Sequence, residues 1–150
     1  MRTLIGVDLG ERRIGVAIAE EPGPRARPLA TVARATTVTA DADALRRVAG
    51  DPDLDVVVGL PLHASGVEGS MVEATRAWAM ELGAVTGWHI SFRDERLSSH
   101  RAEERLGPMR RGRAGGPPTP SQRRAYRERV DREAAAIILQ DDLDARVTGA

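Results

Sequence analysis

The chain has 150 residues and a mass of 16.1 kDa, a size at which one hydrophobic core is the default and two independent domains would each be marginal. It is 41% hydrophobic and 29% charged, enough apolar content to bury a core and too much for wholesale disorder. With no cysteine, disulfides and thiolate zinc sites are excluded, and His63, His89 and His100 are too scattered for a histidine-rich metal site, so any metal would need oxygen ligands. The formal charge is zero, but all 22 basic residues are arginine and they cluster.

Thr3 to Leu9 and Ile14 to Ala19 are rich in β-branched and aliphatic residues across a short charged turn, and together predict a β-hairpin. Glu21-Pro22-Gly23-Pro24 supplies the next turn, and the alternating Val and Thr of Leu29 to Val38 predict a third strand. Asp41 can cap a helix running to Ala49, and Gly50 to Asp53 break it. Val56 to Val58 form a short apolar strand ending at Gly59-Leu60-Pro61, followed by a helix from Glu68 to Leu82 with Met71, Ala74, Trp78 and Leu82 near helical spacing. Trp88 to Arg93 reads as a fifth strand, Ser98 as the N-cap of a helix to Leu106, and Ser121 as the start of a final helix to Asp144. Between the last two helices, Gly107 to Pro120 holds four glycines and four prolines and reads as a mobile, non-helical loop. Three meandering strands followed by βα units predict an α/β domain over 1–150, with a mixed five-stranded sheet and helices on both faces.

Arg110, Arg111, Arg113, Arg123, Arg124, Arg127, Arg129 and Arg132 fall between positions 110 and 132, opposed there by Glu128 and Asp131 alone. An all-arginine set is what GC-rich codons would produce, but guanidinium also suits phosphate, and the clustering makes a polyanion a plausible partner. The longest fully apolar run, Ala134 to Leu139, is far short of the roughly 20 residues of a membrane helix, and Asp8 precedes any signal-like segment. A cytoplasmic protein with no membrane partner is expected.

Three carboxylates stand out. Asp8 interrupts an apolar strand that should be central, and a buried carboxylate must be paired, protonated or metal-bound; Arg12 and Arg13 in the next turn are candidate ion-pair partners. Asp94-Glu95 ends the strand carrying Ile90 and Phe92, a position where acidic residues are commonly solvated. Asp131 sits one turn before Ala135 and two before Ile138, on the flank of the buried stripe, where a pairing with Arg127 at i−4 is equally open. This topology could bring all three to one side of the sheet. Trp78 and Trp88 read as core residues, and four aromatics in all leave little basis for a stacking-dominated single-strand binder.

Four blocks in order resemble the YqgF/RuvX family of ribonuclease H-like nucleases. Asp8-Leu9-Gly10-Glu11-Arg12-Arg13-Ile14-Gly15-Val16-Ala17 is similar to its first motif, with Arg12 where lysine is usual. Gly59-Leu60-Pro61-Leu62 with Gly66, Glu68 and Gly69 is similar to the second, and Asp94-Glu95-Arg96-Leu97-Ser98-Ser99 to the third, with serines for the usual threonines. Val130-Asp131-Arg132-Glu133-Ala134-Ala135-Ala136-Ile137-Ile138-Leu139-Gln140 resembles the fourth. The likeness spans almost the whole chain, and the segment around Gly115 to Pro118 is less family-like.

The resemblance implies a ribonuclease H-like fold and a phosphodiesterase in which Asp8, Glu95 and Asp131 hold one or two divalent cations, Mg2+ or Mn2+, with Asp94 the alternative to Glu95. Three carboxylates about 5 Å apart would repel by about 3 kcal/mol per pair at an effective dielectric near 20, so protonation, arginine or a cation must relieve them. Arg12, Arg13, Arg96, Arg110, Arg111, Arg113, Arg123 and Arg124 are the expected nucleic-acid contacts. Gly66 and Gly69, at a loop entering a helix, and Ser98 and Ser99 are candidate phosphate contacts, with a tight turn and helix capping as the plain alternatives. The substrate implied is the 5′ end of pre-16S ribosomal RNA or branched DNA such as a Holliday junction, and the partner state a monomer or a homodimer, the latter favoured by a two-fold branched target. An actin-like or sugar-kinase-like ATPase also uses Asp-x-Gly after a first strand but needs a second large lobe, and a non-catalytic nucleic-acid scaffold would tolerate loss of Asp8.

Overall fold

Three antiparallel strands open the chain: β1 (Thr3–Leu9), β2 (Arg13–Glu20) and β3 (Arg25–Ala33). The computed structural model describes residues 2–20, 23–61, 67–95 and 97–149. β3 lies earlier than its Val/Thr alternation suggested. It is an edge strand, where Pro28 is tolerated, and it stops at Ala33 because Thr37 leaves the sheet to cap a helix. That helix, α1 (Val38–Ala49), is capped by the Thr37 side chain, which accepts from Ala40 N, and not by Asp41. Asp41 instead lies buried, accepting hydrogen bonds from Ala35 N at 2.7 Å and Trp78 Nε1 at 3.0 Å.

β4 (Leu54–Leu60) joins β1 in parallel, and after α2 (Val67–Thr86) β5 (His89–Asp94) joins β4 in parallel. The sheet order is β3-β2-β1-β4-β5, the mixed five-stranded sheet of a ribonuclease H-like fold. α3 (Ser98–Leu106) follows, then one 3-10 turn over Arg113–Gly115 inside the stretch expected to be non-helical, then α4 (Pro120–Thr148). Thr119 and Gln122 form a capping box at the start of α4, with Pro120 in its first turn, so the helix begins one residue before Ser121.

Side-chain alternation divides the sheet into two unlike faces. Ile5, Val7, Leu9, Ile14, Val16, Val56 and Val58 pack against Leu45 of α1 and Trp78 and Leu82 of α2. Trp88 joins that core. The opposite face carries Ala17 and Val57 against Ala135, Ala136, Ile138, Leu139 and Leu143 of α4. Smaller side chains there let α4 lie close to the strands, and it touches all five. α3 leans on the outer side of α4 through Ala102, Val130, Ala134 and Ile137. Among the described residues no helix is long and apolar enough to cross a membrane.

Candidate active site under the long helix

Asp8 shares the parity of Gly6, so it projects toward α4 and not into the core formed by Ile5, Val7 and Leu9. Glycines make room around it. A Cβ on Gly6 would sit 2.7 Å from Leu139 Cβ, and one on Gly15, the residue paired with Asp8 across β1 and β2, would sit 2.0 Å from the carbonyl oxygen of Asp131. Only hydrogen at these positions lets the backbone of α4 descend onto the sheet, and that descent places Asp131 beside Asp8. A Cβ on Gly59 would lie 3.0 Å from Glu95 Oε2, so the Glu95 carboxylate rests over the neighbouring strand.

Glu95 follows β5 directly, and its N–H donates to Leu60 O at 2.7 Å, extending the strand pairing by one residue. It shares the parity of Arg93, whose Nη2 donates to Asp142 Oδ1 of α4 at 3.3 Å, whereas Asp94 shares the parity of Phe92, which packs on the α1/α2 core. The Asp8 carboxyl is held well above the ordinary aspartate range, first by burial and then by the like charges of Glu95 and Asp131. Glu95 is also raised, by burial first; the hydrogen bond from Ser98 works against this, and the Asp94 charge adds to it. Of the acidic pair, Glu95 has the parity of the α4 face, and its charge is among those that raise Asp8.

The arginines divide differently from expectation. Among the described residues Asp8 pairs with neither Arg12 nor Arg13; Arg13 Nε instead donates to Asp131 Oδ2 at 2.5 Å, across 118 positions of sequence. Asp131 accordingly takes Arg13, and not Arg127, as its ion-pair partner. Arg12 is exposed, and together with Gly10, Glu11, Arg13 and Asp131 it lines an open cleft of about 260 Å3 beside the carboxylates. Arg34 braces the turn behind this cleft, donating to Gly10 O at 3.0 Å.

Ser98 does not cap its helix. The capping position is Leu97, left-handed at φ 53° and 73% exposed, and Ser98 is buried with its hydroxyl donated to Glu95 Oε1. A bulky residue held left-handed next to a buried carboxylate is the kind of strain found at functional sites. Ser99 is exposed, and Gly69 falls in the first turn of α2. Gly66 and Arg96 lie outside the described residues. Arg110, Arg111, Arg113, Arg123 and Arg124 are all exposed, away from the carboxylates in sequence and along the start of α4. The segment bearing them is tied to α4 by Tyr126 Oη to Gly107 O at 2.7 Å and Gln122 Nε2 to Arg111 O at 2.9 Å.

Sequence reasoning missed the packing role of Gly6, Gly15 and Gly59 and the bond from Ser98 to Glu95. The glycines were legible as single gaps in otherwise β-branched strands, a pattern that marks close backbone approach. The Ser98 contact depends on the turn at Leu97, for which leucine gives no signal.

A family model described as "RuvX: Holliday junction resolvase" matches residues 2–145. A protein of Anaeromyxobacter sp. (strain K) named "Putative pre-16S rRNA nuclease" is 46% identical over 147 residues, covering 97% of this chain and 98% of the relative. One of the same name from Chloroflexus aggregans is 39% identical, covering 97% and 95% respectively. Among solved structures, Thermus thermophilus RuvC in complex with a Holliday junction substrate superposes with a TM-score of 0.52 at 15% identity, covering 98% of this chain and 96% of that one, a likeness of fold. Family model, near-full-length relatives and fold agree, and the chain belongs to the RuvX family of nucleases.

Proposed function

We propose that this protein hydrolyses phosphodiester bonds at the 5′ end of pre-16S ribosomal RNA, using one or two divalent cations held by Asp8, Glu95 and Asp131. The observation that carries this reading is the convergence of three carboxylates from β1, the end of β5 and α4 on one face, close enough that two of them perturb the third. Among the described residues no three carboxylate or imidazole groups already surround a single point closely enough to hold an ion. The donor chemistry nevertheless fits a hard cation: all three are oxygen ligands, and their mutual repulsion favours binding positive charge. Bound there, Mg2+ or Mn2+ supplies Lewis acidity toward a phosphate and its attacking water. Ser98 fixes the rotamer of Glu95, the glycine-lined face sets the depth of Asp131, and Arg12 and Arg13 offer guanidinium groups to phosphate oxygens in the adjoining cleft.

A nucleic-acid partner is also supported by a local conflict in α4. Its first turn has no acidic residue, and Arg123 and Arg124 stand close to the positive end of the helix dipole, where cations are disfavoured. Positive charge placed against the dipole on an exposed surface is a binding feature in search of phosphate, not a stabilising one. The names of the curated relatives favour ribosomal RNA as substrate, within the cytoplasm. The family description and the RuvC fold keep a four-way DNA junction as the second reading.

One preparation incubated with a pre-16S RNA carrying its 5′ extension, and in parallel with a four-way DNA junction, each with Mg2+, with Mn2+ and with chelator, tests this. Cation-dependent cutting of the RNA end is expected. Cutting of the junction alone would transfer the function to DNA, and no cleavage of either, with binding intact, would leave a scaffold.

A further inference from the structure

Arg13 sits at the first position of β2, and its Nε bonds Asp131 in α4 at 2.5 Å. Among the described residues, Asp131 is the one side chain this guanidinium bonds. Both groups keep contact with solvent, with side-chain exposures of 34% and 21%, and ion pairs of that kind contribute little to stability. Its position is more informative than its strength. The oxygen that Arg13 occupies belongs to a carboxylate needed for cation binding, and the guanidinium forms one wall of the open cleft shared with Gly10, Glu11 and Arg12.

We propose that Arg13 is the resident counter-ion of Asp131 in the cation-free protein, and that cation binding releases its guanidinium into this cleft to take a phosphate of the nucleic acid. The inference rests on the assignment of the three carboxylates as the cation site, and goes beyond it by making Arg13 the link between the two ligands. A divalent cation beside Asp131 competes for the same oxygen and repels the guanidinium, whereas a phosphate in the cleft attracts it and presents oxygens that its planar fork can meet in pairs. Glu11 lines the same cleft and the Glu128 charge also acts on Arg13, so both compete with a phosphate for the freed guanidinium. Because each ligand removes an obstacle to the other, each must tighten the other's binding by the same factor.

Calorimetric titration of Mn2+ without nucleic acid, into wild type, Arg13→Gln, Arg12→Gln and Asp8→Asn, tests the first half. Arg13→Gln is expected to bind Mn2+ about three- to tenfold more tightly than wild type, since its competitor is gone. Arg12→Gln, which removes an equal charge from the same cleft, is expected to stay within about twofold of wild type. Equal or weaker binding by Arg13→Gln overturns the proposal, as does equal tightening by both arginine variants. Failure of wild type to bind Mn2+, or full binding by Asp8→Asn, would instead overturn the carboxylate assignment beneath it. The second half uses a short RNA whose bridging P–O bonds are replaced by uncleavable P–C bonds. Wild type is expected to bind it about tenfold more tightly with saturating Mn2+, and Arg13→Gln to lose that enhancement; a full enhancement in the variant overturns the coupling. Should Arg13→Gln fail to fold by circular dichroism, Arg13→Met, which keeps a stem of similar length but carries neither charge nor donor, is expected to show the tighter Mn2+ binding in its place.

Discussion

Asp8 and Asp131 sit in the same cluster yet should respond in opposite ways to neutralisation. Asp8→Asn, Glu95→Gln and Asp131→Asn are each expected to abolish cleavage with the fold retained. Without cation, Asp8→Asn should melt higher than wild type, because it removes a charge that burial and two like neighbours disfavour. Asp131→Asn should melt lower, by up to about 1 kcal/mol, because it strands Arg13. Thermal melts with and without Mg2+ check both signs, and full activity in any of the three removes that residue from the site. A pH dependence follows from the same groups. Asp8 and Glu95 have folded-state values raised above their unfolded ones, so the folded state holds their protons more tightly. Their contribution is fully present below about pH 4 and is lost as pH rises through the folded values. Cation-free protein should therefore lose stability across that window, Asp8→Asn should lose less, and Mg2+ should abolish the decline. Asp8 was legible because charge interrupted an apolar strand, whereas Glu95 ended a strand and Asp131 flanked a helix stripe, and it was the family resemblance that joined the three. Their partners were not legible, since Arg13 meets Asp131 across 118 residues that no local pattern connects.

At the level of elements, the depth of α4 is set by glycine. Gly15→Ala would force a methyl group against the backbone carbonyl of Asp131, which cannot rotate away as a side chain could. The helix must lift, at a cost of about 1–3 kcal/mol. Activity is expected to fall much further than stability, because Asp131 moves away from Asp8; a melt and a cleavage assay on the same preparation separate the two, and unchanged cleavage would show that this close approach does not set the site. Most elements were readable from period and punctuation: the strand around Val56 to Val58, the Gly50 break and the Trp78 stripe lie where the pattern put them, while the Val/Thr strand lies earlier. Boundaries failed where side-chain chemistry was shared out differently. Thr37 and Leu97 took the capping positions expected of Asp41 and Ser98, leaving Asp41 for the Trp78 indole and Ser98 for Glu95, and Thr119 capped a helix that starts at Pro120, one residue before the expected Ser121.

Across the whole molecule the arginines form two groups, Arg12 and Arg13 beside the carboxylates and a second set in the segment before α4 and at its start. Arg110, Arg111 and Arg113 are exposed, and replacing all three with alanine should weaken nucleic-acid binding with little change in turnover at saturating substrate. Each lost phosphate contact should flatten the dependence of log affinity on log salt by roughly 0.7 to 0.9. A salt titration matching wild type would show this segment to be a solvated loop. The separation of Asp8 and Asp131 along the chain has a consequence in time as well as in space. Synthesis runs from the N-terminus, and the five strands with α1 and α2 all precede α4. All five strands of a nascent chain are therefore made before Asp131, the third carboxylate of the proposed site. A chain cut short before α4 is expected to leave one face of the sheet uncovered and to show no cleavage, if Asp131 belongs to the cation site as proposed.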